Sequence, residues 1–287
     1  MVMPSTIGSV WRNFARHCSK NWIETFVKRV LLFSPRSWKA MIVGLIAGAG
    51  AGLVSLGGGT LVIPLLMGWM QLSPVSSRGT ALVVSVFSAT IGAWMYYRTG
   101  LVDLQVVLWV AIPSVLISPI AARLSENWSP VHLKMGFGMV VIMGGLLMFL
   151  HDQSGVTTTL SPQWKIPFLL FVGTLEGFVA GIVGVSGGPV LAPLFVLGLG
   201  MPQQLAQGCS LASRLPAIAS GTWENWRLGN IQFDLVPWLA VGAMAGATFG
   251  SRIAFMLPEH SLRLFFASLL ILLGGHYLLE GLKKTHR

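Results

Sequence analysis

The chain has 287 residues, of which 54% are hydrophobic and 10% charged, and its mean hydropathy is +0.73. A soluble domain carries about 25% charged residues, so this composition excludes an ordinary soluble protein. The apolar runs are long enough for membrane-spanning helices, which take about 20 residues each, and the short alternating strands of a transmembrane barrel are absent. The composition therefore predicts an all-α polytopic membrane protein.

The net charge of +10 is concentrated at the two ends of the chain. Residues 1–39 carry one acid, Glu24, against a set of bases: Arg12, Arg16, Lys20, Lys28, Arg29, Arg36 and Lys39. Residues 281–287 add Lys283, Lys284 and Arg287. By the positive-inside rule we expect both ends in the cytoplasm, which requires an even number of membrane crossings. No groove-reading motif accompanies the bases, so a nucleic-acid partner is not expected.

The N-terminal segment, residues 1–39, has aromatic and aliphatic residues interleaved with its bases at roughly helical spacing. This pattern predicts a basic amphipathic helix that lies on the cytoplasmic leaflet, with its cations near anionic headgroups of the lipid bilayer. The alternative is a positively charged tail that only sets the topology. The segment lacks the uninterrupted apolar stretch and the cleavage site of a signal peptide.

Ten hydrophobic segments follow in chain order. They form a first transmembrane repeat at 40–150 and a second at 165–280, with a polar linker at 151–164 and a basic tail at 281–287. The predicted segments are 40–56, 60–72, 79–97, 104–122, 131–150, 165–185, 189–200, 208–226, 233–251 and 262–280. The second and the seventh are too short for a perpendicular helical crossing, so we expect 8–10 transmembrane segments.

The two halves form a sequence repeat with a constant offset of 129 residues. Identical residues at that offset include Gly44 and Gly173, Gly58 and Gly187, Pro64 and Pro193, Gly79 and Gly208, and Arg98 and Arg227. If all five segments of a half cross the membrane, the odd count forces the second half to be inverted relative to the first. A pseudo-two-fold axis in the membrane plane would then relate the two halves.

The first segment of each half has glycine at every fourth position: Gly44, Gly48 and Gly52, then Gly173, Gly177 and Gly181. Small residues at this spacing form one stripe on a helix and let helix backbones approach closely in lipid. We therefore interpret these glycines as packing surface and not as a binding site.

Each half also contains a contiguous glycine run, Gly57-Gly58-Gly59-Thr60 in the first and Ser186-Gly187-Gly188 in the second. Each glycine weakens a helix by roughly 1 kcal/mol relative to alanine, so the runs predict two glycine-broken short hairpins. The free N–H groups of a helix that starts after such a break bind anions. Paired interruptions in two halves are typical of a transporter binding site. The alternative is a kink that only permits close packing.

A second matched motif follows each short segment: Gly79-Thr80-Ala81-Leu82 and Gly208-Cys209-Ser210-Leu211. Small polar residues that open a long helix can complete the same site. Thr80, Cys209 and Ser210 are therefore further candidates for substrate binding. The alternative is that they cap a helix or form a small-residue packing seam.

Three ionisable residues stand out inside apolar segments, where a charge at the helix centre costs about 2.5–3.5 kcal/mol and usually has a function. Glu224 lies near a helix end beside Trp223 and Trp226, where the interfacial aromatic belt explains it. Arg214 aligns with Ser85 of the first half and is a candidate for a fixed positive charge in the anion site. Glu176 aligns with Ala47 and is a candidate for proton coupling, or alternatively the partner of Arg214.

The sequence contains two cysteines and six histidines without metal-ligand spacing, and it lacks nucleotide-binding and hydrolase motifs. We therefore expect no cofactor, no metal ion and no catalytic residue, and an enzyme is not expected.

The order of these motifs resembles that of the sulfite exporter TauE/SafE family. The resemblance covers residues 40–280 and is carried by the glycine runs, by the two Gly-x-x-Leu motifs, and by Arg98-Thr99-Gly100. It implies a permease of the bacterial inner membrane for small anions such as sulfite, organosulfonates or thiosulfate. We expect a secondary transporter that holds its substrate by backbone amides, and a homo-oligomer is compatible with it. A passive anion channel and a non-transporting membrane enzyme or assembly factor are the alternatives.

Overall fold

The computed structural model describes residues 35–55, 58–124, 130–154, 161–183 and 188–285. These ranges contain eleven helices and no strand, which confirms the all-α class for the described part of the chain. The helices are α1 (Pro35–Val54), α2 (Gly58–Trp69), α3 (Pro74–Arg98), α4 (Leu104–Leu124), α5 (Pro130–Ser154), α6 (Pro162–Val183), α7 (Gly188–Leu199), α8 (Gln203–Ser213), α9 (Leu215–Arg227), α10 (Val236–Met256) and α11 (Glu259–Thr285).

Six of the described helices (α1, α3, α4, α6, α10 and α11) are long and apolar enough to cross a membrane, which confirms a multi-pass membrane protein. Helices α2 and α7 have 12 residues each. At 1.5 Å per residue they extend about 18 Å, well short of the roughly 30 Å hydrocarbon core. Both predicted short segments are therefore present as short helices, and the total number of crossings stays a prediction.

Residues 1–34 of the amphipathic segment predicted at 1–39 lie outside the described residues, and residues 35–39 belong to α1. The connection between α5 and α6 is shorter than the linker predicted at 151–164, because α5 continues to Ser154 and α6 begins at Pro162.

The segment predicted at 208–226 is wrong in its extent. Helical structure begins earlier, at Gln203, and is divided into α8 and α9 at Arg214. Pro216 explains the break, because proline has no N–H for the hydrogen bond to residue 212 and its ring displaces that carbonyl. The corresponding helix of the first half, α3, has Phe87 at this position and is continuous over 25 residues.

Helix α1 packs along α10 through the predicted glycine stripe. A Cβ atom at Gly44 would overlap the carbonyl oxygen of Leu239, and one at Gly48 would overlap that of Ala243. The backbones of the two helices are therefore in direct contact. This confirms the interpretation of these glycines as packing surface.

The same contacts recur between α6 and α4 with the roles of the halves exchanged. A Cβ atom at Gly173 would overlap the carbonyl oxygen of Val110, and one at Gly177 would come within 2.5 Å of that of Ser114. Each of these residues is 129 positions from its counterpart in the contact of α1 with α10. Such exchanged contacts are expected of two related halves that pack around a two-fold axis, and they support the predicted repeat. The inverted orientation stays a prediction.

The two short helices lie in the apolar interior. On α7, Leu191, Ala192 and Phe195 are fully buried in a cluster that includes residues of α4, α5, α6 and α11. On α2, Val62 and Leu66 are fully buried against α1, α3 and α10. The packing of α7 places its first residue, Gly188, inside the protein, where the candidate site begins.

Candidate functional site

Arg214 lies at the break between α8 and α9 and is the largest fully buried side chain of the described residues, with 0% exposure. A guanidinium group stays charged at any physiological pH. Removal of that charge from water is costly in the membrane interior, so a buried arginine needs partners or a ligand there.

One partner of Arg214 is the C-terminal end of α1. The Nη1 atom of Arg214 donates a hydrogen bond of 2.6 Å to the carbonyl oxygen of Ser55. Ser55 has a left-handed backbone, with φ of +46°, and it follows the last residue of α1. Carbonyl groups at the end of a helix lack an intrahelical partner and carry partial negative charge, so a cation is favourable there. The remaining nitrogens, Nε and Nη2, have no hydrogen-bond partner among the described residues.

The N-terminus of α7 lies against the same guanidinium group. A Cβ atom at Gly188 would overlap Arg214 Nη1 and the carbonyl oxygen of Ser55. The backbone that precedes the first glycine run therefore contacts the residue that ends the second run. The first N–H groups of α7 have no intrahelical acceptor. The end of α1 and the start of α7, which flank the two glycine runs, therefore meet at Arg214.

Glu176 is buried in α6, with 1% exposure, and it accepts a hydrogen bond from the hydroxyl of Ser114 on α4. Its charge also interacts electrostatically with Arg214. The arrangement is compatible with both sequence-based hypotheses, in which Glu176 either couples transport to protons or balances the charge of Arg214. Sequence analysis did not identify Ser114, which resembles many other helix serines when no partner is known.

Tyr96 and Gln207 are further buried polar residues that sequence analysis missed. The Tyr96 hydroxyl donates to Gln207 Oε1 over 2.7 Å and lies 3.1 Å from the carbonyl oxygen of Gly52. Gly52 is one turn before Ser55, so this pair contacts the same end of α1 as Arg214. The signal in the sequence was a cluster of glutamines, Gln203, Gln204 and Gln207, directly before the Gly208 motif.

Of the small polar candidates, Ser210 is the one that lies near Arg214. It is fully buried and lies one turn before Arg214 on α8, so the two share a side of that helix. Its hydroxyl has no hydrogen-bond partner in the ranges that the structure describes.

Thr80 and Cys209 are engaged elsewhere. Thr80 Oγ1 accepts a 3.1 Å hydrogen bond from the backbone N–H of Gln232, in the loop before α10. Cys209 Sγ accepts a 3.3 Å hydrogen bond from the backbone N–H of Asp103, directly before α4. The two contacts are related by the 129-residue offset, and each attaches one half to a loop of the other. These contacts favour the packing interpretation for both residues.

The remaining candidates are in the glycine runs. Gly57, Ser186 and Gly187 lie outside the described residues. Gly58, Gly59 and Thr60 form the first turn of α2. Within the described ranges, no group of three or more His, Cys, Asp or Glu residues could hold a metal ion.

Comparisons with known proteins agree with this architecture. The model of the sulfite exporter TauE/SafE family matches residues 40–277. Among the similar proteins, the probable membrane transporter protein YunE of Bacillus subtilis is 24% identical over 84% of this chain and 97% of its own length. The probable membrane transporter protein YjnA of the same organism is 21% identical over 82% and 96%. The probable membrane transporter protein MJ0441 of Methanocaldococcus jannaschii is 24% identical over 83% and 94%.

No solved structure gives a significant match. The family match spans both transmembrane halves and includes the α8–α9 break, and the relatives align over nearly their whole length. Together with the six candidate membrane spans, these findings establish the family. The chain therefore belongs to the sulfite exporter TauE/SafE family and is a multi-pass membrane transporter.

Proposed function

We propose that this transporter moves a small oxyanion and binds it between Arg214 and the N-terminus of α7. The observation that carries the proposal is the fully buried Arg214 guanidinium group, whose Nε and Nη2 atoms have no partner among the described residues. A buried donor without an acceptor costs about 1–3 kcal/mol, and more when it is charged. An anion that supplies the missing acceptors removes this cost, so the vacant nitrogens favour anion binding.

The shape of the guanidinium group favours an oxyanion. Its Nε and Nη2 atoms form a planar pair that matches two oxygen atoms of one anion. Sulfite, organosulfonates and thiosulfate present such oxygens, whereas a halide offers one centre. The family description, sulfite exporter, points to the same chemical class. The N–H groups at the start of α7, near Gly188, and those of the glycine run before α2 are the proposed additional donors.

Alternating access is the proposed mechanism, with Glu176 as the candidate coupling residue. Expulsion of an anion from a cell with a negative interior is already favoured, by about 2.3 kcal/mol per charge per 100 mV. Coupling to protons is therefore dispensable for export and needed for accumulation. In the empty site the Glu176 carboxylate offsets the charge of Arg214, and protonation of Glu176 would accompany anion binding.

The experiment is a flux assay in proteoliposomes that contain the purified protein, with sulfite as the transported anion. Arg214→Gln removes the charge and the planar pair of donors, so we expect sulfite flux to fall by about 100-fold or more. Arg214→Lys keeps the charge without the planar pair, so we expect intermediate flux. Arg227→Gln is the matched control, because the Arg227 side chain is 59% exposed.

Two outcomes would contradict the proposal. Equal sulfite flux in the Arg214→Gln and Arg227→Gln proteins would show that the anion does not use this site. Flux that increases linearly with sulfite concentration, without acceleration by sulfite on the opposite side, would identify a passive channel. A thermal-shift screen of the wild-type protein against sulfite, thiosulfate, sulfonates and carboxylates would then rank the substrates, because a ligand that binds the folded state stabilises it.

A further inference from the structure

We propose that one face of α8 is the route by which the anion reaches Arg214. This face, the α8 polar track, consists of Gln203, Gln207, Ser210 and Arg214. The inference rests on the proposed function, since it names the access path to the same site. It adds two glutamines and a direction of entry that neither the family match nor the sequence assigns.

The spacing of these residues places them in line. At 3.6 residues per turn, the four positions fall within an arc of roughly 60° on α8. From Gln203 to Arg214 the helix rises about 16 Å, which is about half of the hydrocarbon thickness. A solute that followed this face would travel from one end of α8 to the break in the interior.

All four side chains of the track are buried, with 0% exposure, and each has a polar atom without a partner among the described residues. These atoms are Gln203 Nε2 and Oε1, Gln207 Nε2, Ser210 Oγ, and Arg214 Nε and Nη2. Buried polar side chains in proteins are normally hydrogen-bonded. Gln207 and Arg214 each make one hydrogen bond through another atom, to Tyr96 and Ser55, yet all four side chains keep at least one polar atom without a partner among the described residues. Most of these atoms are hydrogen-bond donors, which favours a surface for a passing anion.

The rest of α8 does not share this property. Ser213 is turned back onto its own helix, where its hydroxyl donates to the carbonyl of Cys209, and Cys209 contacts Asp103. Leu211 is buried in an apolar cluster. The polar atoms without partners are therefore restricted to one side of the helix.

The equivalent face of the first half carries no such track. The residues 129 positions earlier are Pro74, Arg78, Ala81 and Ser85. Ala81 belongs to an apolar cluster, and the Ser85 hydroxyl donates to the carbonyl of Ala81 over 2.8 Å. The track is therefore a specific property of α8 and not a consequence of the repeat.

The two ends of the track differ. Beyond the break, the buried residues of α9 are the apolar Ala217 and Ile218, so the track ends at Arg214. At the other end, the first residues of α8 contact the end of α10 and the start of α11. The backbone N–H of Gln203 donates to Glu259 Oε1 over 3.3 Å, and Gln204 Nε2 donates to the carbonyl of Ala254 over 2.9 Å. Because the track ends at Arg214, anions would enter it from the Gln203 end.

The test is reaction of single cysteines with an anionic thiol reagent, 2-sulfonatoethyl methanethiosulfonate, in the full-length protein in proteoliposomes. The background carries Cys18→Ser and Cys209→Thr, because threonine occupies the equivalent position 80. Gln203→Cys, Gln207→Cys and Ser210→Cys each introduce one cysteine in the track. Leu211→Cys and Ala212→Cys are the controls on other sides of α8.

We expect the three track positions to react at least tenfold faster than the two controls, and sulfite to slow their reaction by a similar factor. A cationic reagent of the same size should react more slowly than the anionic one, because Arg214 repels it. Reaction at Leu211→Cys and Ala212→Cys as fast as at Gln207→Cys would overturn the proposal, and so would an inert Gln207→Cys in a background that still transports sulfite.

A second measurement separates the track from the binding site. Gln207→Leu removes the donor in the middle of the track, whereas Gln207→Asn keeps an amide. We expect Gln207→Leu to lower the maximal sulfite flux roughly tenfold with little change in the sulfite thermal shift, and Gln207→Asn to retain most of the flux. A weaker thermal shift with unchanged maximal flux would contradict a role in access. Failure of the binding site itself would be recognised differently, by unimpaired flux in Arg214→Gln.

Discussion

Helix α3 and the pair α8–α9 occupy equivalent positions in the two halves and differ where the function is proposed. Helix α3 runs without a break from Pro74 to Arg98, and α8–α9 spans Gln203 to Arg227, each bound 129 residues further on. Only the second half has an arginine followed by a proline at the centre. Arg214 stands where the first half has Ser85, and the helix of the second half is divided at this residue, where the binding site is proposed.

The residues that the halves share serve the scaffold. Gly79 and Gly208 each allow a loop of the other half to approach, since a Cβ atom would meet the carbonyl oxygens of Asn230 and Leu101. The side chains of Thr80 and Cys209 accept hydrogen bonds from backbone N–H groups of the same loops. The comparison teaches that these shared positions pack the two halves together, and that the buried arginine lies at a position where the halves differ.

After replacement of Arg214 itself, substitution at the contact between α7 and the end of α1 should have the largest effect. Gly188→Ala adds a methyl group where Arg214 Nη1 and the carbonyl of Ser55 already lie, so the guanidinium must move. We expect sulfite flux to fall by more than tenfold. Gly68→Ala in the other short helix is the control, since a Cβ atom there meets nothing within 4 Å. Similar flux in both variants would show that the position of Arg214 near α7 is unimportant.

Removal of the break should make the second half resemble the first. Pro216→Ala restores the backbone hydrogen bond to residue 212, so α8 and α9 can join and Arg214 turns away from Ser55. We expect a several-fold loss of flux with an unchanged or higher melting temperature. The reciprocal Phe87→Pro change should instead lower the melting temperature, because proline inside a helix costs about 3 kcal/mol. Full flux in Pro216→Ala would show that the break is not required.

Substitution of Glu176 should affect coupling more than binding. Glu176→Gln cannot exchange a proton, so we expect sulfite uptake to lose its response to an imposed pH gradient while downhill flux falls only several-fold. Glu224→Gln is the control, because its side chain is 60% exposed. A gradient response that persists in Glu176→Gln would exclude this residue as the coupling group and leave it as the charge partner of Arg214.

The smallest effects are expected at the shared loop contacts. Thr80→Val leaves the backbone N–H of Gln232 without its acceptor, at a cost of about 1–3 kcal/mol, so the melting temperature should fall by a few degrees. Cys209→Thr keeps an acceptor for Asp103 and should change the melting temperature less. Neither variant should alter the sulfite concentration at half-maximal flux. A changed sulfite concentration at half-maximal flux in Thr80→Val would instead indicate that Thr80 contacts the substrate.

Much of the fold was predictable because local patterns determine it. Apolar length predicted the membrane helices, and the glycine spacing predicted close packing at Gly44 and Gly48. The 129-residue offset predicted matched positions in two halves, and the structure then showed contacts that recur at that offset. The division of 208–226 was missed, because prolines also occur inside continuous helices of this chain. Pro113 and Pro119 lie within α4, for example. Whether a proline ends a helix depends on the tertiary contacts that satisfy the freed carbonyl.

The sequence predicted the types of residue in the candidate site, but it did not predict all of the residues that lie there. Arg214 and Ser210 were identified because polar residues are rare in apolar segments. Gln207 and Tyr96 were missed, since their pairing joins positions 111 residues apart in the chain. Thr80 and Cys209 had the right chemistry for a ligand site, yet their acceptor atoms are taken by loops of the opposite half.

By itself the sequence determined that this protein is rich in membrane-spanning segments, that identical residues recur at a constant offset, and that the second half has an arginine inside an apolar segment. These properties follow from composition and spacing, which act locally along the chain. Only the tertiary structure decided which donors remain without partners, because a hydrogen bond depends on what a distant segment brings to it. That is why the contacts of Arg214 with Ser55 on one side and Gly188 on the other could be identified only in the folded chain.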